Sequence, residues 1–272
     1  MSYNNLNKDG DYMKLKDVLI KISIVFILVL IVLLIFEGPR FFRKMSRNDG
    51  VPVLAYHDIV SEDEKSDKYK YNVWVMEEEN FEEQMKYLSE NGYYALSMQE
   101  YIDWKVNGKS IPDKSVLITF DDGFYSIKSK VEPIMKKYNL RCSVFVITNK
   151  LSEKNERYLH TEDIVSSKYI EYYSHTDNYH KKDGKPYLQI KSYKQINNDL
   201  ATSFKKVSNL SFAYPYGASS NTAIKVLKDN GVKVAFTIGE NCNSIQDDND
   251  YEIPRYAMLS FYSTFTLKYF VN

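Results

Sequence analysis

The sequence predicts an α/β fold in which a parallel sheet or barrel carries helices on its outer side, preceded by one apolar helix near the N-terminus. Three observations predict it. From about residue 50 onward, short apolar runs with strand character alternate with segments of helical periodicity. Several of those runs end on ionisable residues, and parallel α/β proteins build their sites at the carboxyl ends of strands. Before them, Val18 to Phe36 is apolar except for Lys21 and Ser23.

That N-terminal run has the length of a membrane span. Nineteen helical residues at about 1.5 Å each cover roughly 29 Å, close to the thickness of a bilayer's hydrocarbon core. The expected organisation is therefore a short segment over 1–17, a transmembrane anchor over 18–36, a juxtamembrane linker over 37–48 and a single body over 49–272. Residues 35–40 offer no small-residue cleavage site, which favours an uncleaved signal-anchor. Lys8, Lys14, Lys16 and Lys21 precede the run and Arg40, Arg43, Lys44 and Arg47 follow it, so charge does not set the orientation.

In the body, Val51 to His57 is the first strand candidate and ends on a histidine. Residues 80–91 read as helix, because Phe81, Met85 and Leu88 recur at intervals of four and three, and Gly92 closes it. Residues 97–106 form a second helix, 108–112 a turn, and 116–119 a strand. Helix follows over 127–138, strand over 142–148, and polar connections around 152–162. A segment over 169–175 leads into a pair of histidines. Beyond it come helix over 192–200, strand over 210–214, helix over 221–230, strand over 233–238 and an aromatic tail over 261–270.

Composition excludes one class of partner. The 36 basic residues balance 36 acidic ones, so no concentrated positive field is available to hold nucleic acid. Cys142, in an apolar run, reads as a buried thiol; Cys242 lies one hundred residues on in a polar stretch, and two such residues make no disulfide framework.

The chemistry concentrates in two segments. Thr119 to Gly123, TFDDG, sets Asp121 and Asp122 side by side at a strand end, and two acids in apolar surroundings require a shared cation or proton. SHTDNYH then supplies His175 and His180, half of the chain's four histidines. One carboxylate with two imidazoles is the donor set of a catalytic metal site that keeps a position open for water. Residues five apart on a helix differ by about 140°, so the two histidines converge only through a strand end and a turn, for which Asp177 and Asn178 are suited.

These motifs, VLAYHDI, TFDDG, SHT-x-x-x-H and FAYPYG in that order, resemble the polysaccharide deacetylase family, the carbohydrate esterases with a NodB homology domain. The resemblance covers about residues 50–260 and is strongest with the branch that deacetylates the biofilm polymer poly-β-1,6-N-acetylglucosamine. It implies a distorted, incomplete (β/α) barrel. It further implies that Asp122, His175 and His180 hold one divalent metal ion, with zinc the default and cobalt, nickel, iron or manganese accommodated by the same donors. Asp121 would be the general base, His57 the general acid, and the Tyr216 backbone N–H a stabiliser of the oxyanion. Many relatives carry arginine where Ala213 stands; Arg255 is the nearest substitute to orient the catalytic aspartate. The implied partners are an acetylated glucosamine polymer, the membrane through residues 18–36 and an exopolysaccharide synthesis complex. The implied place is the cell membrane, single-pass, with 1–17 cytoplasmic and the body extracytoplasmic. Peptidoglycan N-deacetylation and inactive glycan binding are the alternatives.

Overall fold

The computed structural model describes residues 18–29, 50–152, 155–239 and 249–271. The chain divides into two compact units, 1–48 and 49–272. In the first, residues 18–29 are helical (α1). Among the described residues no helix is long and apolar enough to cross a membrane. Twelve residues rise only about 18 Å, well short of the roughly 30 Å required. This corrects the expectation of a span over 18–36 and, with it, the signal-anchor, the single-pass location and the membrane as a partner; residues 30–36 lie outside the described residues.

The second unit is built on parallel strands. In chain order they are β1 Val53–Tyr56, β2 Asp58–Val60, β3 Val75–Glu77, β4 Tyr94–Ala95, β5 Ser115–Phe120, β6 Cys142–Val146 and β7 Ile170–Ser174. The hairpin β8 Lys182–Asp183 and β9 Lys185–Pro186 follows, then β10 Ser208–Ala213, β11 Val234–Phe236 and β12 Tyr256–Ala257. The main sheet runs β11-β10-β7-β6-β5-β1-β12, with β4 on β5, and all its pairings are parallel. Its ends approach each other through a single-residue parallel bridge, Phe236 to Ile253, where the Thr237 N–H donates to the Ile253 carbonyl at 2.8 Å. Four backbone hydrogen bonds between residues 235–239 and 250–255 make a short seam there and no paired strands, so the barrel is distorted and incomplete.

The helices are α2 Glu62–Asp67, α3 Glu78–Glu90, α4 Met98–Asn107, α5 Glu132–Lys137, α6 Tyr187–Ile190, α7 Tyr193–Ser203, α8 Asn221–Asp229 and α9 Thr264–Val271. Local chemistry sets their ends: Ser97 and Glu100 form a reciprocal capping box on α4, and Gly108 stops it with φ of 65°. The expected helix over 127–138 is α5 preceded by a π-helical turn, Ile127–Val131. Pro133 has no N–H to give the carbonyl four residues back, and the Glu132 N–H reaches Ile127 instead.

Period-two alternation divides the core. Val53, Leu117, Phe145, Tyr173, Ala213 and Phe236 share one cluster inside the barrel. Their neighbours Leu54, Ile118, Val144 and Tyr172 face α3, α5 and α9 in another, and Phe212 and Ala235 pack with α7 and α8 in a third. Cys142 is buried in the second of these as a free thiol; Cys242 lies outside the described residues.

Candidate metal centre and active site

The inner row of each strand, continued past the strand's end, supplies the site. Along β5, Leu117 and Thr119 point inward, so Asp121 does too. The same step from Val53 and Ala55 brings His57 inward, and from Tyr173 it brings His175. Asp122 would face outward by this rule. Its left-handed backbone, φ 72°, breaks the alternation and returns the carboxylate to the site. Gly123 follows at φ 80°, where a Cβ would stand 2.8 Å from a Val146 methyl.

Asp122 Oδ1 lies 3.7 Å from His175 Nε2 and 3.4 Å from His180 Nε2. His175 Nδ1 donates to the Ala213 carbonyl at 2.8 Å, which leaves its Nε2 lone pair facing Asp122. Burial holds the His175 imidazole down to about 3 and lowers His180 as well, so both are neutral donors. Burial pushes the Asp122 carboxyl up to about 6, and Oδ1 is buried with no hydrogen-bond partner. An orphaned carboxylate oxygen opposite two neutral imidazoles, all within 4.8 Å of one another, fits a divalent cation.

His180 is delivered by a loop, and the loop is tethered. Thr176 takes φ of 73° after β7. Asp199, buried on α7, accepts the backbone N–H groups of Asp177 and Asn178 at 2.9 and 2.8 Å. The Asp177 carboxylate accepts from the Thr148 hydroxyl at 2.7 Å and from Lys206 Nζ at 2.9 Å.

Asp121 is in a different electrostatic position from its neighbour. Burial would raise its carboxyl, but the fully buried Arg255 guanidinium donates to both oxygens, each at 2.7 Å, and holds it well below the usual carboxylate range. Arg255 also donates to Thr119 Oγ1 at 3.0 Å and to the Thr237 carbonyl at 3.1 Å. Its four donated bonds fix its plane, and the Phe145 and Phe236 rings pack near it, 5.4 and 5.9 Å from the guanidinium carbon.

His57, Tyr216 and the two aspartates line one cavity of about 580 Å³ with His175 and His180. His57 packs against Trp74, ring centres 4.6 Å apart, and its Nδ1 is buried without a partner. Tyr216 adopts φ of 60° in the turn Pro215–Gly217 and sets its ring 4.7 Å from that of His180. Four further lining residues escaped the sequence analysis. Asp58 accepts from Ser126 Oγ at 2.8 Å and from Arg157 Nη2 at 3.4 Å; its signal was its place directly after His57. Arg157 itself lies over Phe124 and Tyr69, Lys182 over Tyr216, and Trp74 over His57, and no periodicity marks any of the three. His160 stands apart, 3.9 Å from Glu162.

A parallel barrel with a carboxylate–imidazole metal centre and a second, ionised carboxylate beside it defines a metal-dependent hydrolase. The family model described as polysaccharide deacetylase matches residues 108–235. The poly-β-1,6-N-acetyl-D-glucosamine N-deacetylase of Staphylococcus aureus (strain MSSA476) is 32% identical over 199 residues, 67% of each chain. Its namesake from Staphylococcus epidermidis is 29% identical over 238 residues, 78% of this chain and 80% of that one. Among solved structures, the Streptococcus pyogenes deacetylase PplD in complex with acetate superposes with a TM-score of 0.72 at 23% identity, over 82% of this chain and 98% of that one; at this identity it shows the fold. IcaB from Ammonifex degensii gives 0.66 at 26% identity, over 78% and 92%. The chain belongs to the polysaccharide deacetylase family.

Proposed function

We propose that this protein hydrolyses the N-acetyl groups of N-acetylglucosamine units in an extracellular polysaccharide, poly-β-1,6-N-acetyl-D-glucosamine, releasing acetate, and that residues 49–272 carry the activity. The observation that carries the reading is the pairing of one carboxylate opposed to two neutral imidazoles with a second held ionised by Arg255 in the same cavity. The relatives' substrate supports the choice of polymer.

Asp122, His175 and His180 are the metal ligands in this reading. Held by these three side chains, the ion, which we take to be zinc, would supply Lewis-acid polarisation of the acetyl carbonyl and would lower the pKa of water at the site. Asp121, kept ionised, accepts the proton of the attacking water. Arg255 orients that carboxylate in the plane set by its two hydrogen bonds. The Tyr216 backbone N–H donates to the oxyanion that forms as the carbonyl carbon becomes tetrahedral. His57, held against Trp74, donates a proton to the departing nitrogen, since an amine leaves poorly as an anion. Water adds across the C–N bond: the acetyl carbon keeps the oxygen as acetate and the sugar keeps the nitrogen as an amine.

The test is acetate release by the full-length protein from β-1,6-linked N-acetylglucosamine oligomers, beside peptidoglycan and chitin oligomers. Preferential release from the β-1,6 oligomers is expected. Release from peptidoglycan alone would move the assignment to the cell wall.

A further inference from the structure

The charges lining the cavity pair off, with one exception. Asp121 is held by Arg255, Asp58 faces Arg157, and Asp122 faces the two imidazoles. Lys182 lines the same cavity and has no acidic partner within ion-pair distance among the described residues. It opens the β8–β9 hairpin two residues past His180, and its ammonium stands 4.6 Å from the centre of the Tyr216 ring. The face of that ring attracts the cation, and both residues line the cavity.

We propose that Lys182 makes the site choose among units of its own polymer by charge, accepting N-acetylglucosamine flanked by acetylated units and rejecting those flanked by glucosamine. The inference rests on the function proposed above. Each turnover replaces a neutral amide by an amine that takes up a proton, so the polymer becomes cationic beside the unit just processed. Like unit charges about 8 Å apart, in an effective dielectric between that of a protein surface and bulk water, repel enough to change a relative rate by roughly two- to thirtyfold. Amines would then be spaced along the product in place of contiguous runs.

Two oligomers separate the possibilities: one fully acetylated, the other carrying a glucosamine on each side of a central acetylated unit, assayed below the amine's pKa. Full-length, zinc-loaded wild type is expected to favour the first in kcat/KM by about two- to thirtyfold. The preference should shrink with added salt. Lys182→Gln should bring the ratio toward one and Lys182→Glu lower it further, while the remote neutralisation Lys86→Gln leaves it unchanged. Calorimetry with a fully deacetylated oligomer, which needs no turnover, should show tighter binding to Lys182→Glu than to wild type. A wild-type ratio of one, or a ratio that neither Lys182 variant moves, would overturn the proposal. Absence of acetate from the fully acetylated oligomer would refute the deacetylase reading itself, and the proposal with it.

Discussion

Asp121 and Asp122 are adjacent in sequence and opposite in state. Arg255 keeps the first ionised, and burial with no proton donor at Oδ1 leaves the second in need of a cation. Asp122→Ala should therefore abolish both metal retention, read by elemental analysis, and activity. Asp121→Asn should keep its metal and lose about 10²–10⁴-fold in turnover; near wild-type turnover with metal bound would remove Asp121 as the base. Arg255→Met leaves a buried, uncompensated carboxylate, and an unfolding titration should show a loss of about 3–5 kcal/mol. The adjacency of the two acids at a strand end was legible in TFDDG. What divides them was not, because the partner lies 134 residues away and no spacing encodes that contact; only the family resemblance pointed to Arg255.

Strands and helices were legible wherever periodicity was strong. The main strands β1, β5, β6, β10 and β11 and the longer helices α3, α4, α7 and α8 coincide with their expected segments to within a few residues, and β7 falls in the segment over 169–175 to which no element was assigned. Short pieces were not: β2, α2 and β3 over 58–77 and the β8–β9 hairpin are two to six residues long and are held by tertiary contacts, so no periodic signal develops. The apolar run near the N-terminus was expected to span a membrane over 18–36; among the described residues helix covers 18–29, and no helix is long and apolar enough to cross one. Two elements of the site give further tests. Gly123→Ala forces a Cβ into Val146 at positive φ, and chemical denaturation should register a cost of about 1–3 kcal/mol. In Asp199→Asn an amide replaces the carboxylate that receives two loop N–H groups. Competition with a metal indicator should show affinity weakened by about 10–100-fold, with turnover recovering at saturating metal. Unchanged affinity would mean that the loop holds His180 without this tether.

For the whole molecule, metal and fold are linked. At metal concentrations about 100 times the dissociation constant, binding adds about 2.7 kcal/mol, so chelation should lower Tm by about 5–10 °C. The linkage depends on pH with a definite sign. In the metal-free protein the Asp122 carboxyl sits at about 6; below that pH a proton occupies the group that the cation needs, so affinity is full above it and declines as pH falls. The measurement that tests the account most directly is acetate release from β-1,6-linked N-acetylglucosamine oligomers by the full-length protein, stripped by chelation and then titrated with zinc. Activity that disappears on stripping and returns to a plateau at one zinc per chain is the expected result. Release that persists in the stripped protein, or none with zinc bound and the fold intact, would contradict it.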